Sequence, residues 1–157
     1  MRGAVARHCA PGGGGVSIGL ETAKVITAAV RAAGKERGLK PLTVVVLDAG
    51  GHVVSAERED GASNNRFEIA YGKAYGALAL GMGSRSLMAR AEQQPYFISS
   101  AAAAIGGRLV PVPGGVLVKD EAGVVLGCVG VSGDTSDNDE LAAIAGITSA
   151  SLVPQPD

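Results

Sequence analysis

The chain has 157 residues, 46% of them hydrophobic, which fills one core of ordinary size and leaves no material for a second domain. A formal net charge of -1, a sequence pI near 6.1 and no run of Lys or Arg argue against nucleic acid or a membrane surface as a partner. Aromatic residues make up only 3%, Trp is absent and Gly numbers 24, so the core is built from Ala, Val, Ile and Leu packed closely on glycine backbone. At roughly 25 cal/mol per Å² of apolar surface, small side chains contribute little each, and contacts between subunits of a homo-oligomer are the expected supplement.

Residues 1–15 include Arg2, Arg7 and His8 but no apolar stretch of signal-peptide or membrane-helix length, which points to a cytoplasmic protein. The run Gly12 to Gly15 reads as a flexible tail ahead of a single domain over residues 16–150, with residues 151–157 as a C-terminal tail. Ala23, Ile26, Ala29, Val30 and Ala33 recur at helical steps, predicting a first helix from Leu20 to about Gly38. Leu42 to Leu47 is a branched apolar run, Asp48-Ala49-Gly50-Gly51 a turn, and His52 to Arg58 the returning strand of a hairpin. Ser63, Asn64 and Asn65 offer N-caps to a second helix carrying Phe67, Ala70, Tyr71, Ala74, Ala77 and Leu78. Ser84 caps a shorter helix that Pro95 breaks, and Pro95 itself suits the first turn of another through Ala104.

The two prolines of Val110 to Gly115 place that segment in a loop or at a sheet edge. It leads into a second hairpin, Val116 to Lys119 and Val124 to Val131, turning through Asp120-Glu121-Ala122-Gly123. A last helix over Asn138 to Ile147 has two capping-box registers, Ser136/Asp139 and Asp137/Glu140. Two hairpins flanked by helices exclude an all-parallel sheet; an antiparallel sheet covered by helices, an α/β sandwich of the α+β kind, is the expected architecture.

Four segments, LDAGGHVVSAEREDGA, YGKAYGAL, PVPGGVLV and GVVLGCVGVSGDTSDNDELAAIAG, occur in an order that resembles the GlcG/HbpS family over about residues 17–148. The resemblance implies a profilin-like α-β-α fold and homo-oligomers. It also implies small-ligand binding: some members bind haem, and a related domain forms the C-terminal part of PduO-type corrinoid adenosyltransferases. The chain departs from the family where Arg58-Glu59-Asp60 replaces the more usual Arg-Met-Asp.

Candidate site residues follow from chemistry. Lys73 has only Ile69, Ala70, Gly76 and Ala77 at helical neighbour positions, so it either reaches water or meets an anion from elsewhere: Asp48, Asp60 or a ligand carboxylate. Arg58 and Asp60 project to one face at a strand end, where the planar guanidinium suits a carboxylate and Asp60 can pair with it. Pro113-Gly114-Gly115 and Ser132-Gly133-Asp134 can offer backbone N–H groups to an anion, or can serve as turns alone. Asp137, Asp139 and Glu140 are explained by capping and the helix dipole without a metal. Cys9 and Cys128 lie in unlike contexts, with no disulfide or zinc spacing. His52 in its turn is either a surface residue or, facing a cleft, a haem ligand, with His8 as a further donor.

The expected function is a small-anion-binding module, haem or another anionic tetrapyrrole being the ligand that the resemblance implies. Its site is expected between the VPVPGG loop, the second helix and the Ser132-Gly133 turn, with Arg58 and Lys73 toward the propionates. Two alternatives stand beside it. One is a small catabolic enzyme acting on a carboxylated intermediate by proton transfer or hydrolysis, with Lys73 and Asp60 as its acid/base pair; the other is an accessory structural protein.

Overall fold

The computed structural model describes residues 16–157; the expectations for His8, Cys9 and the glycine tail lie outside the described residues. The elements are α1 (Leu20–Glu36), β1 (Thr43–Asp48), β2 (Val53–Arg58), α2 (Arg66–Leu80), α3 (Ser84–Gln93), α4 (Pro95–Ala104), β3 (Gly115–Lys119), β4 (Val125–Ser132), α5 (Ser136–Ser149) and β5 (Val153–Gln155). The strands form one antiparallel sheet in the order β2-β1-β4-β3-β5.

Side chains alternate across a strand, so each central strand feeds two cores. Val44, Val46, Val116, Val118, Val129 and Val131 face α1 and α5, whereas Val45, Leu47, Leu117 and Cys128 face α2. Burial on both sides explains why β1 and β4 read as unbroken apolar runs instead of alternating ones. The result is the expected α-β-α sandwich.

Glycines set how closely the layers approach. A side chain on Gly130 of β4 would run into the Ala70 carbonyl of α2, and one on Gly146 of α5 would meet Val30 of α1. The α3–α4 pair makes a satellite core around Leu87, Ile98 and Leu109, with Pro95 opening α4 as expected.

Three details differ from the sequence expectations. Residues 151–157 are not a tail: β5 pairs with β3 through Leu117 and Gln155, and Gly83 and Arg85 donate to the carbonyls of Asp157 and Pro156. Pro154 has no N–H to give to a ladder, which the edge position of β5 tolerates. Thr135, rather than Ser136 or Asp137, caps α5, accepting from the Asn138 N–H. Ser84 does not cap α3; its hydroxyl accepts from the Gly115 N–H at 2.7 Å, tying α3 to β3.

Candidate functional site

Helix α2 turns Lys73 inward, and the residue is 1% exposed. Its Nζ donates to Asp139 Oδ2 at 3.0 Å and to the Val131 carbonyl at 2.9 Å. The anion is therefore neither Asp48 nor Asp60 but Asp139, in the first turn of α5, also 1% exposed. Asp139 accepts further from the N–H groups of Asp134 and Gly133, so the Ser132-Gly133-Asp134 turn closes on the protein's own carboxylate. Burial lowers the Lys73 pKa and raises that of Asp139, each against their mutual attraction, and the Arg66 charge lowers Lys73 further.

Pro113, Gly114 and Gly115 are buried beside this pair. Gly114 has φ +121°, and a Cβ there would stand 2.9 Å from Lys73 Nζ; a Cβ on Gly115 would strike the Lys73 carbonyl. The loop thus lets backbone pass against α2. Asp60 lies elsewhere, exposed and lining an open hollow with Arg31, Lys35 and Glu59, so Lys73 and Asp60 are not brought together.

His52 sits in the exposed β1–β2 turn, its Nδ1 3.1 Å from Asp48 Oδ1, which also accepts from the His52 and Gly50 backbone N–H groups. Burial pushes the Asp48 carboxyl up, but these hydrogen bonds hold it below its ordinary range. With Nδ1–H directed at the carboxylate, Nε2 keeps its lone pair for another partner.

At the other end of the sheet, Arg58, Thr43 and Ser132 stand in register across β2, β1 and β4 and share the α2 side. Arg58 Nη1 donates to the Ala62 carbonyl at 2.8 Å, and Arg66, the first residue of α2, donates from Nη1 to Ser132 Oγ at 3.1 Å. Among the described residues neither guanidinium meets a carboxylate. Thr43, 1% exposed, has a buried Oγ1 with no hydrogen-bond partner. Leaving such a hydroxyl unsatisfied costs about 1–3 kcal/mol.

Between these ends runs an aromatic row. Phe67 and Tyr71 stack with centroids 5.9 Å apart and planes 4° from parallel, and Tyr71 meets Tyr75 at 5.5 Å. Arg108 lies over the Tyr75 ring at 4.0 Å. Helix α2 packs mainly over β1, β4 and β3 and barely over β2. It therefore leaves a shelf on β2 where Val53, opposite Leu47, is 47% exposed and Ala56, opposite Val45, is exposed too. Of two phenylalanines and three tyrosines in the chain, three border this shelf. The spacing of four from Phe67 to Tyr71 to Tyr75 was visible in sequence, but it reads there only as helical periodicity. Asp139 and Arg66 gave no comparable signal, because their partners, Lys73 and Ser132, are 66 residues away along the chain, and nothing local marks Thr43 as a buried hydroxyl without a partner. No group of residues able to hold a metal ion occurs among the described residues.

The family model described as haem-degrading protein HbpS-like matches residues 18–148. A search of curated proteins finds no significant match. Among solved structures, ORFY of Klebsiella pneumoniae, assigned to DUF336, is 27% identical over 89% of this chain and 95% of its own, with a TM-score of 0.78. A double mutant of HbpS from Streptomyces reticuli is 25% identical over 94% and 97%, with a TM-score of 0.73. A complex of PduOC with haem shares the fold at 22% identity, 87% and 96% coverage and a TM-score of 0.77. With nearly the whole sandwich matched, the chain belongs to the HbpS-like family.

Proposed function

We propose that the protein binds a planar, anionic small molecule of the tetrapyrrole class, haem foremost, on the shelf between β2 and the aromatic row of α2. The row is the observation that carries the reading. In a chain this poor in aromatics, Phe67, Tyr71 and Tyr75 gathered beside uncovered Val53 and Ala56 offer an aromatic and apolar surface to a macrocycle. Arg58 at one end suits a propionate, and His52, oriented by Asp48, would be the residue to hold the iron through Nε2. Haem, when bound, supplies a redox-active iron; the chain's own residues bind and orient it. In this reading Pro113, Gly114, Gly115, Ser132, Gly133 and Lys73 support the site from behind, through α2 and the Asp139 pair. The family description and the haem complex of a fold relative support the same ligand class.

The enzyme reading through Lys73 and Asp60 draws no support from this geometry, since Lys73 is bound to Asp139. Haem titration followed by the Soret band tests the proposal. A saturable, shifted band is expected, with affinity about tenfold lower in Tyr71→Ala, as loss of one aromatic contact of about 1.4 kcal/mol implies. An altered band is expected in His52→Ala. A flat titration at micromolar protein would overturn the assignment.

A further inference from the structure

We propose that Arg58, Thr43, Ser132 and Arg66 form a carboxylate-binding site at the end of the sheet where α2 begins. Three observations meet there. The Thr43 hydroxyl is buried and unpartnered, so a donor waits inside the fold. Two guanidiniums stand on the same side of the sheet without a carboxylate partner among the described residues, Arg66 already hydrogen-bonded to Ser132 next to Thr43 in the β1–β4 register. Charge is also unbalanced: Lys73 takes up Asp139, while Glu59 turns to Arg31 and the Leu42 N–H on the opposite side. That leaves Arg58 and Arg66 with no anion of their own.

A carboxylate meets all three conditions. Its two oxygens match the planar fork of a guanidinium, and its remaining lone pairs accept from hydroxyls. Arg58 is partly spent on the Ala62 carbonyl, which fixes the loop after β2 and still leaves guanidinium N–H groups free. The N-cap Asn65 makes no side-chain bond, so the start of α2 adds the positive end of its dipole without a competing internal acceptor from that side chain. The site shares Arg58 with the propionate end of the shelf proposed above, but an anion without a ring and variants at Arg66 and Thr43 test it separately, and either proposal can fail alone.

The experiment titrates malonate into the full chain by calorimetry at constant ionic strength, with chloride and inorganic phosphate as parallel arms. Saturable malonate binding is expected, with no heat from chloride. Affinity should fall at least tenfold in Arg66→Gln and in Thr43→Val, the latter conserving shape and removing only the hydroxyl. Circular dichroism and melting establish that both variants fold, and Thr43→Val, free of its orphaned hydroxyl, should melt no lower than the parent. Unchanged malonate affinity in Thr43→Val would overturn the proposal, because the hydroxyl would then serve only water. Phosphate binding without malonate binding would overturn the carboxylate assignment, and no saturable anion at all would remove the site. Haem binding in either variant leaves this result unaffected.

Discussion

Removing one member of the Lys73–Asp139 pair strands the other charge where both are 1% exposed. Lys73→Met is therefore expected to lower stability by about 3–5 kcal/mol in denaturant unfolding. Adding Asp139→Asn should recover more than half of that loss, since the amide oxygen still accepts from Gly133 and Asp134 and no charge remains buried. A cost below about 1 kcal/mol for Lys73→Met would mean that water reaches Asp139. Asp134 supplies a pH test. The Asn138 side chain and the N–H groups of Lys40 and Thr135 hold its pKa at about 2 against an ordinary 3.8. Folding thus favours its ionised form, a contribution present above pH 3.8 and lost as pH falls from about 4 to about 2. In melting scans across that window, Asp134→Asn should show a shallower fall than the parent; parallel curves would contradict the assignment. Sequence could single out Lys73 as a lysine without a helical partner, because that is local information. It could not name Asp139, 66 residues away, since an acid in a first helical turn already has a sufficient local explanation.

Helix α2 depends on glycine in the strand beneath it. In Gly130→Ala the new methyl would press on the Ala70 carbonyl and on Ala74, neither of which can swing aside as a long side chain would. The expected cost is about 3 kcal/mol, the upper end of ordinary overpacking, read as a lower denaturation midpoint. Displacing α2 would also shift Tyr71 and Tyr75, so haem affinity should fall with it if the shelf is the site. A neutral substitution would show that α2 floats on the sheet. Both hairpins, α1, α2, the Pro95 break and α5 were legible, because each has a clear period or a strong stop signal. β5 was not, since a proline in a three-residue strand carries no periodicity, and its place comes only from the open edge of β3. The true cap of α5 was hidden by a row of residues all able to cap, Thr135, Ser136 and Asp137.

At the scale of the molecule, the architecture was legible from the hairpin–helix order and from the family resemblance, whereas the shelf beside β2 was not, because it arises from where α2 crosses the sheet. That crossing leaves the face of β2, an edge strand by the sheet order, with Val53 47% exposed, and the outer side of α1 carries Leu20 and Val25 at 49% and 51% exposure. Tyr96 on α4 is 69% exposed. Glu57 and Arg58 on β2 are charges of the kind that discourage strand-to-strand pairing at an edge, so the helix surfaces are the better contact regions. We therefore expect a dimer or larger homo-oligomer, in which these apolar side chains leave water and supplement a core short of large residues. Light scattering across a dilution series checks this. The expected result is a mass of at least twice 15.6 kDa that persists to low micromolar protein. A monomeric mass at every concentration would show that the three-layer core is sufficient by itself and that Leu20, Val25 and Tyr96 remain in water.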